Sequence, residues 1–77
     1  MSPKLTLRYD KVGDILYIEK CPPYEGQDSE ELEDEIGVRL NPYTGEVETV
    51  EINFFAKRVS ETGTLDIPLN AYIQLQQ

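Results

Sequence analysis

Residues 4–9 alternate strictly, with Leu5, Leu7 and Tyr9 on one side and Lys4, Thr6 and Arg8 on the other. A two-residue period that is apolar on one side predicts a half-buried strand. Residues 10–14 read as a short connection containing Gly13, with Asp10 and Asp14 available to accept from turn amides. Residues 15–20 follow, and both faces begin apolar: Ile15 and Tyr17 on one, Leu16 and Ile18 on the other. That pattern predicts a central strand. Cys21-Pro22-Pro23 stops it, because proline has no ladder donor and restricts the residue before it.

The alternation resumes at Ile36, Val38 and Leu40, with Arg39 facing outward. Asn41-Pro42-Tyr43-Thr44-Gly45 is the clearest turn in the chain, since proline fixes one φ and glycine tolerates the left-handed backbone that follows. Residues 46–52 return as a strand, with Val50 and Ile52 toward the core and Val47 and Thr49 on the opposite face. Residues 4–20 and 34–52 are thus expected to be β-hairpins. Beyond residue 52 the two-residue period is lost. Asn53 is expected to cap a short helical turn in which Phe54 and Phe55 supply bulk and Lys57-Arg58 come late, where the helix dipole favours them. Thr62-Gly63 ends this piece. A last helix is expected from Pro68, capped by Asp66 and presenting Leu69, Tyr72 and Ile73; its rival is a fifth strand through residues 72–75. The fold class is α+β, a four-stranded antiparallel β-meander with short C-terminal helical material, in a single domain over residues 1–77.

Between the two hairpins, residues 25–35 hold seven carboxylates in eleven positions and no positive charge. An acidic connecting loop is expected at about residues 22–34, with at most a transient helical turn after Ser29 as cap. Glu25, Asp28, Glu30, Glu31, Glu33, Asp34 and Glu35 are the candidate partner-binding residues. Oxygen ligands also suit Ca²⁺ or Mg²⁺. The EF-hand pattern needs a defined twelve-residue loop with a central glycine and a terminal glutamate, which residues 27–35 do not supply, so no shaped metal site is read from the run.

Charge narrows the partners. The formal net charge is −8, which opposes binding to nucleic-acid backbones and anionic membranes, both of which attract Lys and Arg clusters. Tyr17, Tyr43, Tyr72, Phe54 and Phe55 are therefore read as packing residues and not as a stacking surface for single strands, which needs a positive groove. No apolar run approaches the roughly 20 residues of a membrane span, and residues 1–9 lack the apolar core of a signal peptide. Histidine is absent and Cys21 is the lone cysteine, so catalysis by a cysteine–histidine pair has no base to draw on. Among the carboxylates, Asp10, Asp14, Glu19, Glu48 and Glu51 show no pair set across a pocket, and turn capping is the better account of Asp10 and Asp14. No catalytic residue and no cofactor is assigned. A lone cysteine and no export signal fit a cytoplasmic protein.

Seventy-seven residues form a domain too small to bury much surface, and disulfides and transition metals are unavailable to brace it. Oligomerisation remains, so a homodimer is expected; the alternative is an unusually efficient small core. Tyr17 is the candidate interface residue, because tyrosine combines apolar area with a polar tip.

Three pieces, in order, carry a family resemblance. They are Tyr9-Asp10-Lys11-Val12-Gly13-Asp14-Ile15-Leu16-Tyr17-Ile18, Gly45-Glu46-Val47-Glu48-Thr49-Val50-Glu51-Ile52, and Ala56-Lys57-Arg58. Together they resemble the family catalogued as domain of unknown function 2283, whose members are short and mainly prokaryotic. The likeness spans roughly residues 5–59. It departs in the acidic insertion, at Thr49 where the family often has glycine, and at Ala56-Lys57 where a small residue usually intervenes. The resemblance implies an antiparallel β-meander with helical C-terminal material, and it brings no catalytic residues with it.

The expected function is that of a small non-enzymatic interaction or regulatory module whose acidic surface meets a basic protein partner. The alternative is a carboxylate-based divalent-metal-binding protein or weak hydrolase.

Overall fold

The structure is a computed structural model that describes residues 4–33 and 35–66. It is an α+β fold with β1 at Thr6–Asp10, β2 at Ile15–Glu19, β3 at Asp28–Glu33, β4 at Ile36–Leu40, β5 at Val47–Asn53 and α1 at Phe55–Thr62. The strands form one antiparallel sheet in the order β1-β2-β5-β4-β3. The expected four-stranded meander is thus corrected in two ways. A fifth strand is present, and β5, the last in sequence among the described residues, lies in the middle of the sheet. The expected final helix, with its rival strand over residues 72–75, falls outside the described residues.

The order follows apolar content. Val47, Thr49, Val50 and Ile52 of β5 are all buried, whereas β3 carries carboxylates and lies at an edge. Placing β5 in the middle lets Val47, Val50 and Ile52 meet neighbours on two flanks. The apolar strands β2 and β4 lie on either side of it, and β1 and β3, with the fewest apolar side chains, lie at the edges. In an antiparallel ladder, directly opposed residues share a face. The register Tyr9↔Leu16↔Ile52↔Ile36 and Leu7↔Ile18↔Val50↔Val38 therefore defines one continuous apolar face. Its buried centre is Leu16, Ile36, Val38, Val47, Val50 and Ile52, with Ile18, Leu32, Leu40, Phe55 and Leu65 packed around it.

Val47 was expected on the opposite face. Arg39 pairs with Thr49 but Leu40 pairs with Val47, so Glu48 is an extra residue, and this bulge returns Val47 to the core side. The first strand is also more open than its alternation suggests: Leu7 is 64% exposed and Leu5, just before β1, is 48% exposed. An edge strand has a neighbour on one flank only.

The turn at residues 41–46 forms as expected. Asn41 Oδ1 accepts from the amides of Tyr43 (2.8 Å) and Thr44 (3.0 Å), and Gly45 takes the left-handed φ of 76°.

α1 packs on the apolar face through Phe55, whose ring meets Tyr9 edge-on at 5.9 Å. Its end is the expected one, with Gly63 in the left-handed conformation donating to the Val59 carbonyl at 2.7 Å. Its start differs. Asn53 belongs to β5 and donates to the Glu35 carbonyl, through its backbone at 2.9 Å and its side chain at 3.3 Å. Phe54 occupies the cap position at φ 56° and has no side-chain cap to offer. Lys57 and Arg58 consequently fall in the first turn, where the helix dipole disfavours cations, and not late in it. A carboxylate from another part of the chain supplies what the local sequence lacks.

Candidate functional site

That carboxylate is Asp14. Its Oδ1 accepts from the Ala56 amide at 2.8 Å and its Oδ2 from the Lys57 amide at 3.4 Å, while its own carbonyl accepts from Phe55 at 3.1 Å. The Tyr9 hydroxyl donates to the same Oδ1 at 2.7 Å. These donors, Tyr9 foremost and then Ala56, hold the Asp14 carboxyl below its ordinary range. The same hydrogen bond pushes the Tyr9 phenol up. Sequence reading placed Asp14 at a turn, and so it is, but the amides it satisfies are those of a helix forty-two residues away. Asp10 does the local work, with Oδ1 accepting from Val12 at 3.0 Å and Gly13 at 3.2 Å. Both acids are structural.

The opposite end of the sheet is fastened by Glu48, the bulged residue of β5. Its Oε1 accepts from the Tyr24 hydroxyl and from Gln27 Nε2 (3.0 Å), and its Oε2 from Asn41 Nδ2 (3.3 Å). Burial pushes the Glu48 carboxyl up, but these three donors outweigh it and the carboxyl sits below its ordinary range. Tyr24, tied to it, is pushed up to about 12. Chain leaving β2 must pass the ends of β5 and β4 to reach β3, and Glu48 holds that crossing through Tyr24 and Gln27. Cys21 lies in the same stretch, half-buried; burial and the nearby Glu48 carboxylate push its thiol up, away from the reactive thiolate.

The acidic segment is where the structure departs furthest from expectation. Residues 28–33 are not part of a mobile loop: they form β3, paired with β4 from Asp28↔Leu40 to Glu33↔Ile36. The strand survives its charge because an extended chain sends successive side chains to opposite faces, spacing same-face carboxylates by roughly 7 Å, while the backbone bonds to β4. Leu32, on the same face as Asp28 and Glu30 and beside a bulge between Glu31 and Glu33, packs on the core and gives the strand its one apolar anchor. Glu25, Asp28, Glu30, Glu31, Glu33 and Glu35 are all exposed; Asp34 lies outside the described residues. By register, Asp28 and Glu30 share the apolar face with Leu40 and Val38, whereas Ser29 and Glu31 share the other with Arg39 and Gly37. A groove of about 290 Å³ lies beside β3, lined by Gly37 and edged by Glu30, Glu31, Glu35, Glu51 and Asn53. Among the described residues, no three His, Cys, Asp or Glu side chains converge to hold a metal ion.

Tyr17, the expected interface residue, sits half-buried on the face away from α1, with the Arg8 guanidinium 4.0 Å above its ring. Arg8 also forks onto Glu19, with Nε to Oε1 at 3.0 Å and Nη2 to Oε2 at 3.3 Å. Arg39 pairs with Glu51 on the same face. The Tyr17 ring is thus engaged inside its own chain. Among the described residues, no helix is long and apolar enough to cross a membrane.

Comparison with known proteins finds no matching family model, no matching curated protein and no matching solved structure.

Proposed function

We propose that this chain is a small non-enzymatic interaction module of the cytoplasm whose acidic edge strand receives an extended basic segment of a partner protein. The observation that carries the reading is the place of β3: it is the last strand of the sheet, and Asp28, Glu30, Glu31 and Glu33 stand exposed along it. An outermost strand has one row of backbone donors and acceptors without a neighbour in the sheet, which is the platform for strand addition. Carboxylates on both faces select a segment rich in Lys or Arg, speed its encounter and turn away acidic competitors. The same reading takes the resemblance to domain of unknown function 2283 as kinship. It is supported by the direct hydrogen bonding of Tyr9, Asp14, Ala56 and Lys57, which come from two of the three pieces that carry it.

A soluble peptide alternating Lys and Thr, titrated into the labelled protein and followed by amide chemical shifts, tests this. Shifts centred on β3 are expected, with affinity falling as salt is added and lost in the Glu30→Gln, Glu31→Gln, Glu33→Gln triple variant. Shifts elsewhere, or an unchanged titration in that variant, overturn the reading. So does stoichiometric Ca²⁺ or Mn²⁺ binding by calorimetry that the triple variant abolishes, which assigns the strand to a cation instead.

A further inference from the structure

The two edges of the sheet differ in kind. Two β3 edges repel each other, because each carries exposed carboxylates on both faces. The β1 edge carries apolar and mixed-charge residues: Leu7 and Tyr9 lie exposed on the face that continues the core, and Arg8 and Asp10 lie on the other. The two-residue period, extended to the exposed Leu5 and Lys4 just before the strand, sets them with Leu7 and with Arg8 respectively. Natural sheets rarely leave such an edge uncovered.

We propose that the β1 edge is the surface through which two copies of this chain associate, antiparallel, with Leu7 opposite its own counterpart on a two-fold axis. The register selects the partner. A two-fold perpendicular to the sheet sets each side chain opposite one on the same face, so a residue on the axis must meet itself. With Leu7 on the axis, Leu5 faces Tyr9 of the second copy, Thr6 faces Arg8, and Lys4 faces Asp10. The apolar face then runs without a break across the junction, and each Lys4 meets a carboxylate. With Arg8 on the axis, two guanidinium groups are opposed, and Leu5 and Lys4 fall opposite Lys11 and Val12 of the turn beyond the end of β1, so Lys4 meets no carboxylate. Lys4 has no ion-pair partner among the described residues, and Asp10 uses only Oδ1 on its own turn. Both groups are therefore available to the second copy. The contact is closed: it consumes both β1 edges and leaves a ten-stranded sheet bounded at each end by an acidic β3. It independently moves the expected dimer contact from Tyr17, whose ring lies under Arg8, to the neighbouring edge.

Sedimentation of the full chain at micromolar concentration is expected to give twice the 8.8 kDa protomer mass. Lys4→Glu and Asp10→Lys each set like charges opposite one another at two places in the dimer, and each is expected to weaken dimerisation about tenfold. An equimolar mixture of the two variants restores complementary pairs and recovers the wild-type dimer affinity. Because Asp10 also serves its turn, a second measurement avoids it. In a Cys21→Ser background, Leu7→Cys is expected to cross-link to a covalent dimer under mild oxidation, whereas Val12→Cys, at a position 99% exposed in the adjoining turn, is not. A monomer at these concentrations, equal cross-linking at both positions, or growth into larger species by pairing of β1 with β3 overturns the proposal.

Discussion

Asp14 takes a left-handed φ of 56°, a conformation that costs a non-glycine residue energy. The strain aims one carboxylate at a phenol and two helix amides together. Replacing Asp14 with alanine removes the carboxylate that accepts from the amides of a helix start with no side-chain cap of its own. The expected result is a melting temperature lower by roughly 5 °C in a thermal scan at neutral pH. The pH dependence has a definite sign. Asp14 is held below its ordinary value of 3.8 in the folded chain, so its contribution is complete above that value and disappears as pH falls through the depressed folded value. Melting temperatures between pH 6 and pH 2 are therefore expected to fall less steeply in Asp14→Ala than in the wild type. Tyr9→Phe, which removes the strongest donor, moves the onset of the loss to higher pH. Sequence alone suggested a turn role for this residue and no more, because nothing local to residue 14 points to amides at residues 56 and 57.

At the scale of elements, periodicity was a good guide wherever one face was apolar. β1, β2, β4 and β5 lie where the two-residue alternation puts them, and the Asn41–Gly45 turn follows from its residue types. β3 was illegible for a physical reason: its strand character comes from the backbone edge of β4, a neighbour that the composition of residues 28–33 does not announce. The bulge at Glu48 was equally hidden, since an extra residue shifts the alternation without changing composition. Glu48 gives its own test. Glu48→Ala leaves Tyr24 and Gln27 without their acceptor, so the crossing between β2 and β3 is expected to loosen. Amide hydrogen exchange over residues 22–27 should quicken about tenfold while the middle of β5 stays protected. Equal acceleration in both regions would mean that Glu48 supports the whole sheet and not the crossing alone.

For the molecule as a whole, composition was informative about charge and silent about order. The −8 balance opposes the approach of polyanions, and the exposed carboxylates of β3 concentrate negative charge at one edge. Which strands are neighbours depends on pairing across the chain. The crossing from β2 to the far edge could not be read from segments that each made sense as part of a meander. Self-repulsion at this density of charge is long-ranged at low salt, with a screening length of about 30 Å at 0.01 M and about 8 Å at 0.15 M. Raising sodium chloride across that range is expected to increase the melting temperature by a few degrees. The Arg8–Glu19 pair, with its carboxylate largely buried, loses less to screening than the β3 carboxylates gain. A melting temperature that falls with salt would mean that ion pairs on the open face outweigh the repulsion at the edge.

The placement of β5 also has a consequence in time. β2 and β4 touch it on either flank and do not pair with each other. A growing chain that has reached Leu40 holds the sequences of two hairpins and of four strands, yet those hairpins have no shared neighbour. The seven residues Val47–Asn53 are the keystone: the β1–β2 and β3–β4 ribbons join into one sheet only through them. The helix amides from which Asp14 accepts lie later still in the chain, some forty residues after Asp14 itself.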